Sequence, residues 1–527
     1  MRAPHSTDLP GPHQGVFQPH LLVQALNHDL DRKVLHCPDG RVLSAGEVRD
    51  EVSRYVQAIA ALGLGPGTRI GILSGNRPEV LHISHAAMLG QCVLTALHPL
   101  GSLDDHLYMI EDSGLDALVY DPIAFDERAR EIGARLPGLR RYALGDGDDA
   151  TNLVALASAQ VAEPLHAPNL RGDEVVRLSY SGGTTGRPKA IVGTHASFAT
   201  MTQILLGEWE WPQEIRMLLC APLSHSGAPL FLPTLVRGGS MVVLPSFDPV
   251  NVLEAIQRHR ITCTLLVPTM IYALLDHPRF SEFDLSSLET IFYGASPMSP
   301  ARLREGIEKL GPVFFQFYGQ AEAPMSVSVL RRAEHDPNDE QRMRSCGRPV
   351  PQVHVALLDE EMSEVRDGQP GEICVRGPLV MPGYFEKPEM TAEALRGGWL
   401  HTGDVAVRDA KGFLHIVDRK KDMIISGGFN VYPREIEDVL GQHEAVAQCA
   451  VIGVPDSKWG EAVKAIVVLR SGVRACSEEL IALVRDKKGS VQAPKTVDIV
   501  DAIPLTAVGK PDKKALRARY AQCGSAT

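Results

Sequence analysis

Apolar residues along the chain alternate between two spacings. From Val48 to Leu64 they recur at helical intervals and stop at GLGPG, after which RIGILSG (Arg69–Gly75) is a continuous apolar run of strand length. Asn76 and Pro78 open a helix predicted through Leu89, CVLTAL (Cys92–Leu97) and LDALVYD (Leu115–Asp121) are strand-like, and Phe125–Leu136 returns to helical spacing. Downstream, Asn251–His259 is predicted helical and ITCTLLVP (Ile261–Pro268) is a strand entering a turn. TIFYGASPM (Thr290–Met298) is a strand ending in small residues, a helix follows to about Leu310, and VFFQFYG (Val313–Gly319) is a further strand. Strands alternating with helices predict an α/β protein with substantially parallel sheets.

The texture changes at Val353. Short alternating strands (VHVALLD, GEICVRG, FLHIVD) separated by turns suggest a small β subdomain. After the charged run DRKKD (Asp418–Asp422) a second compact unit begins, assembled from EIEDVLGQH, AQCAVIGV, AVKAIVVL and SEELIALVRDKK. A chain of 527 residues exceeds what one core normally supports, so a multidomain protein is expected. The predicted division is a large N-terminal domain of layered αβ subdomains plus the small β subdomain, residues 1–418, and a smaller C-terminal α+β domain, residues 419–527. The charged run between them suits a solvated hinge.

Composition narrows the partners more than the fold. A formal charge of −11 argues against nucleic acid as the main partner, while leaving room for local clusters that meet anionic small molecules. Nine scattered cysteines with no C-x-x-C pair suggest reduced core thiols rather than a disulfide framework or zinc site. The opening MRAPHSTDLPGPHQGVFQPH lacks an apolar h-region and reads as a loose leader, and the most apolar stretch, Cys263–Leu275, is too short for a membrane span. Cytoplasm is the default expectation.

The stretch SYSGGTTGRPK (Ser179–Lys189) concentrates glycine, hydroxyl and positive charge. Gly182, Gly183 and Gly186 let backbone N–H groups form an anion-binding concavity, Ser181, Thr184 and Thr185 add hydroxyls, and Lys189 adds a point charge. A Walker-type loop would lead from its lysine straight into a helix; here Pro188 precedes Lys189 and the β-branched AIVGTH follows, so the order is strand, loop, strand. Alone, the stretch fits a flexible hairpin as well as a phosphate cradle.

Taken with YGQAEAP (Tyr318–Pro324), WLHTGD (Trp399–Asp404), DRKKDMIISGGFNVYPREIE (Asp418–Glu437) and PLTAVGK (Pro504–Lys510), the chain resembles the adenylate-forming superfamily. That superfamily includes acyl-CoA synthetases, peptide-synthetase adenylation domains and firefly luciferase. The motifs occur in the family order across almost the whole chain, and the resemblance is closest to fatty-acyl and aryl-acid CoA ligases. It implies two half-reactions: a carboxylate attacks the α-phosphate of ATP to give acyl-AMP and pyrophosphate, and the thiol of CoA then displaces AMP. Chemistry of this kind asks for positioning and charge neutralisation more than for protein nucleophiles.

The resemblance also assigns residues. Ser181–Lys189 would hold the β- and γ-phosphates, and Glu322 would bind Mg2+, a hard cation suited to carboxylate and phosphate oxygens. Taken alone, Glu322 also fits a first-turn helix position. Tyr318 and Gly319 fall in the adenine-stacking motif, Gly294, Ala295 and Ser296 along the base, and Asp404 and Arg419 at the ribose. An acceptor-only carboxylate is well matched to a diol. Lys510 would reach the carboxylate and α-phosphate during adenylation, with Lys513, Lys514, Arg517 and Arg519 as a solvated basic face. Lys421 falls at the family's hinge, about which a mobile C-terminal domain would withdraw Lys510 and bring in Ser426, Gly427 and Gly428 to line a tunnel for the pantetheine arm of CoA. Trp459 fits packing against CoA or ordinary half-burial equally. One departure is Ala321, where the family usually has Thr.

His225, in PLSHSGA, matches the residue that gates the acyl tunnel. No Asp occupies that segment to meet an α-ammonium group, so a neutral organic acid is expected, an apolar fatty, aryl or alicyclic one. Val267, Thr269, Met270, Tyr293 and Phe317 are the expected pocket lining. The protein is therefore expected to be an AMP-forming acid–CoA ligase using ATP, Mg2+ and CoA, and a homo-oligomer is compatible with the sequence. An enzyme loading a separate carrier protein and a degenerate nucleotide- or acyl-binding protein are the alternatives.

Overall fold

The computed structural model of the protein describes residues 15–180, 188–419, 422–426, 429–456, 459–506 and 510–521. The expectations placed on Ser181, Gly182, Gly183, Thr184, Thr185, Gly186, Lys421, Gly427 and Gly428 lie outside the described residues.

Four sheets organise the described residues. The first has seven strands, with Arg69–Leu73 flanked by parallel Val93–Leu97 and Ala117–Tyr120 and closed on one side by the antiparallel pair Val175–Tyr180 and Ala190–Thr194. The second has nine strands, its parallel centre running through Ser240–Val243, Arg216–Leu219, Cys263–Leu266, Thr290–Gly294 and Phe314–Gln320. Helices connect the parallel strands as the alternating pattern predicts. Ala45–Ala61 starts at a reciprocal cap in which the Ser44 hydroxyl accepts from the Glu47 N–H and the Glu47 carboxylate accepts from the Ser44 N–H. Pro78–Leu89 has Pro78 in its first turn, where a missing N–H costs nothing. One core joins the sheets, combining Ile70, Ile72 and Val119 with Met217, Leu219 and Met241.

The small β subdomain is an antiparallel four-stranded sheet, His354–Leu358, Pro370–Arg376, Leu400–Arg408 and Leu414–Arg419. From Ile424 the strands belong to a separate five-stranded sheet with its own core around Ile436, Val451, Val463 and Leu480. The described cysteines are free thiols, as their spacing suggested. Among the described residues no helix is long and apolar enough to cross a membrane.

Three local expectations change, and one motif without an expected element is placed. The loose leader does not extend to its last residues, since Gln18 starts a helix and Phe17 is buried against Leu170 and Ala199. The strand predicted through Met298 stops at Gly294, because Ala295 turns to φ +65°, a left-handed backbone that ends a strand. HTGD lies inside the strand Leu400–Arg408. Glu322 is not in a helix. Ala321 and Glu322 form the turn of a hairpin between Phe314–Gln320 and Ala323–Leu330, whose MSVSVL alternation continues the sheet.

Candidate active site

The end of a central strand and the small β sheet meet through Tyr318, Asp404 and Arg419. Gly294 closes its strand opposite Phe317, and a Cβ at Gly294 would lie 2.3 Å from the Phe317 carbonyl oxygen, so the backbone there runs bare. Gly319 is equally confined, its would-be Cβ 2.6 Å from the Met325 carbonyl. Ala295 is exposed and Ser296 half-buried just beyond.

Asp404 is 3% exposed and is held on both carboxylate oxygens. The Tyr318 hydroxyl donates to one at 2.7 Å, and Arg419 Nε donates to the other at 3.0 Å from the directly paired strand. Burial first, and then the Asp404 charge, push the Tyr318 phenol well above its ordinary range, so it stays a donor. Each oxygen keeps a lone pair for a further donor, which suits a diol. The strand segment leading to Asp404 is braced from the neighbouring strand, where one Glu372 oxygen accepts from Gly403 N–H (2.9 Å) and the other meets His401 Nδ1 at 3.1 Å.

Lys189 stands at the foot of Ala190–Thr194 with its ammonium 5.1 Å from the centre of the Tyr384 ring. The Tyr384 hydroxyl donates to Glu322 Oε1 at 3.0 Å. The loop lysine and the hairpin glutamate are thus brought together through a tyrosine that sequence reasoning missed. With one oxygen engaged, the Glu322 carboxylate retains a second for a hard cation, so the donor set fits Mg2+.

His225 sits in the turn before the helix Phe231–Val236. Asn76, only 5% exposed, clamps that turn by accepting from Leu223 N–H (2.8 Å) and donating to the Ala221 carbonyl (3.0 Å). His225 Nδ1 meets the Ser224 hydroxyl at 3.0 Å, and its ring packs edge-on to His98 with centroids 4.8 Å apart. Burial, followed by the charges of His98, Arg177 and Lys510, pushes His225 down to about 3. Arg177 points from its strand toward the same turn and donates to the Ser224 carbonyl at 3.2 Å. Burial lowers its pKa to about 10.

The expected acyl lining does not form one wall. Tyr293 is fully buried in the core on one face of the nine-stranded sheet, where its hydroxyl meets Gln316 and His335, and Met270 packs on that core. Phe317 is on the opposite face, stacked on Trp209 with centroids 5.0 Å apart. The registers Tyr293 with Gln316 and Gly294 with Phe317 set this parity. Val267 is half-buried at the cap of the helix Pro268–Leu275. Ser426 is buried at the end of Ile424–Ser426, and Trp459 is 38% exposed with Lys495 over its ring.

An ion pair and a hydrogen bond join the C-terminal domain to the rest of the chain. Arg344 meets Asp438 at 2.8 Å, and Gln442 donates to Glu340 at 2.8 Å. Within the C-terminal segment the half-buried Lys513 ammonium contacts Glu437 at 2.8 Å, so it is not part of a solvated basic face as the sequence suggested.

A family model described as AMP-binding enzyme matches residues 22–385, and one described as AMP-binding enzyme C-terminal domain matches residues 435–510. A medium/long-chain-fatty-acid–CoA ligase of Mycobacterium tuberculosis is 52% identical over 515 residues, covering 95% of this chain and 90% of the relative. A feruloyl-CoA synthase of an Amycolatopsis species is 38% identical, covering 91% of this chain and 94% of the relative. Among solved structures, an amide bond synthetase of Marinactinospora thermotolerans matches with a TM-score of 0.86 at 32% identity, covering 95% of this chain and 100% of that one.

Proposed function

The chain belongs to the AMP-binding enzyme family, and on that premise we propose that it is an AMP-forming carboxylic acid–CoA ligase whose acid is a medium- or long-chain fatty acid. The observation that carries this reading is the buried Asp404 carboxylate, held by Tyr318 on one oxygen and by Arg419 on the other as a seat for a ribose diol. Lys189 and Glu322, joined through Tyr384, offer the charges for the phosphates and their metal.

In the first half-reaction a carboxylate oxygen of the acid bonds to the α-phosphorus of ATP, the bond to the terminal two phosphates breaks, and pyrophosphate leaves. Lys510 offsets the repulsion between the two anions as they approach. Lys189 and the loop before it hold the leaving pyrophosphate, and Asp404 and Arg419 fix the ribose. His225, neutral at physiological pH, closes the acid site without adding a charge that would compete with Lys510. Glu322 would hold Mg2+, which when bound would neutralise phosphate charge. Ala321 in place of the usual Thr removes one hydrogen bond to the α-phosphate, worth about 1 kcal/mol.

In the second half-reaction the CoA sulfur bonds to the acyl carbon, the bond to AMP breaks, AMP leaves and the thiol proton passes to solvent. The division between domains falls at 418/419, with Lys421 as the hinge; rotation there withdraws Lys510 and brings Ser426, Gly427 and Gly428 to the pantetheine path.

The test is release of AMP and pyrophosphate over a panel of medium-chain, long-chain, aryl and dicarboxylic acids, with and without CoA. Highest kcat/KM for the fatty acids with CoA is expected. Hydroxamate-trapped acyl-AMP without any acyl-CoA when CoA is supplied would reject the ligase reading, and a preference for hydroxycinnamic acids would move the substrate to the aryl class.

A further inference from the structure

We propose that Tyr384 is a positioning residue for ATP binding, its hydroxyl aiming Glu322 at the metal–phosphate site and its ring holding the Lys189 ammonium beside it. The inference rests on the roles proposed above for Glu322 and Lys189.

Glu322 occupies a two-residue hairpin turn and is half-buried, so its own strand does little to fix the carboxylate. The segment around Tyr384 supplies what the turn lacks. Met381 N–H donates to the Glu322 carbonyl at 2.8 Å, and the Tyr384 hydroxyl donates to Oε1 at 3.0 Å, so backbone and side chain are both held. A hydroxyl that takes one carboxylate oxygen restricts rotation while leaving the other oxygen to face a cation.

The same segment is bonded to the strand that carries the phosphate loop's lysine. Val192 N–H donates to the Gly383 carbonyl at 3.0 Å, and Phe385 N–H donates to the carbonyl of Ala190, the residue after Lys189, at 2.8 Å. Tyr384 itself is fixed by its N–H donating to the Thr391 hydroxyl at 2.9 Å. Gly383, at φ +157°, has no room for a Cβ, which would lie 2.6 Å from the Thr391 methyl. Farther along, Lys387 anchors the segment to Asp112 at 2.9 Å. One short stretch therefore ties the exit of the phosphate loop to the hairpin glutamate, and Tyr384 is its only side chain touching both charged groups among the described residues.

The test measures ATP binding to the free enzyme by calorimetry, without acid or CoA so that no turnover occurs, in Mg2+ and again in EDTA. Tyr384→Phe keeps the ring and loses the hydroxyl. It should weaken ATP binding roughly 10- to 100-fold in Mg2+, the scale of a lost hydrogen bond to a charged group, with binding in EDTA and the melting temperature unchanged. Tyr384→Leu also loses the ring and should weaken binding in EDTA as well, by roughly threefold. Binding by Tyr384→Phe that matches wild type in Mg2+, or that falls equally in Mg2+ and EDTA, would overturn the proposal. Glu322→Gln is the control. If it too lacks a Mg2+-specific loss, the role given to Glu322 fails and the proposal with it; if the loss appears in Glu322→Gln but not in Tyr384→Phe, only the role of Tyr384 fails.

Discussion

Replacing Asp404 by asparagine should cost the enzyme its hold on the nucleotide while leaving acid binding alone. The carboxylate is buried and accepts from Tyr318 and Arg419 on different oxygens. Asparagine keeps one acceptor and turns the other position into a donor, so either the Tyr318 hydroxyl or the Arg419 guanidinium faces an N–H. The ribose meanwhile loses one charge-assisted hydrogen bond and keeps a weaker one. At about 1.5–3 kcal/mol for each hydrogen bond to a charged group, the combined loss is about 3–4 kcal/mol, or roughly 10²–10³ in kcat/KM for ATP. The Arg419 pair contributes little to folding by comparison, because the Arg419 side chain is 41% exposed and solvent screens it. The assay is pyrophosphate release against ATP concentration at saturating fatty acid, with the KM for the acid measured in parallel. Use of supplied acyl-AMP should weaken as well, since both half-reactions hold the same ribose. A fall of less than threefold for ATP, or an equal rise in the KM for the acid, would refute the placement of Asp404 at the ribose.

Lys510→Ala should lower acyl-AMP formation by roughly 10²-fold or more and leave conversion of supplied acyl-AMP to acyl-CoA within about threefold of wild type, read by single-turnover kinetics of each half-reaction. Arg344→Ala removes the contact with Asp438 that spans the two domains; it should slow adenylation about two- to fivefold, the scale of a solvent-accessible ion pair, without slowing thioester formation. His225, with its folded pKa pushed down to about 3, binds fewer protons than the unfolded chain between there and its ordinary 6.5. Its contribution to stability is therefore complete above about pH 6.5 and is lost as pH falls toward 3. Chemical denaturation of His225→Gln should accordingly show a shallower loss of stability between pH 6.5 and 4 than wild type, and the wild-type rate should show no titration of this residue between pH 6 and 8.

Residues inside contiguous motifs were legible because their chemistry and neighbours travel together in the chain. Lys189 with its glycines, Asp404 in HTGD and Lys510 in LTAVGK needed no knowledge of what lies opposite them. Hydrophobic periodicity likewise marked most parallel strands and their helices, such as Arg69–Leu73 followed by Pro78–Leu89. Contacts made across the fold carried no such signal. Tyr384 gains its place only when its segment pairs with the strand after Lys189, and Asn76, read as a helix opener, turns out to clamp the His225 turn from another sheet. Arg177 alternates with the buried Val176 and Leu178, a pattern that ordinarily means solvent, but its face is covered by the Ser224–His225 turn. The expected acyl lining is divided between two faces for the same reason. Tyr293 and Phe317 are both apolar and near the motif, yet inter-strand register places them on opposite faces.

The central claim is an AMP-forming activation followed by transfer to CoA, and product stoichiometry tests it most directly. Purified enzyme given ATP, Mg2+, CoA and a long-chain fatty acid should yield acyl-CoA, AMP and pyrophosphate in equal amounts, measured together by mass spectrometry. Formation of ADP and orthophosphate, or of AMP and pyrophosphate with no acyl-CoA, would contradict the account.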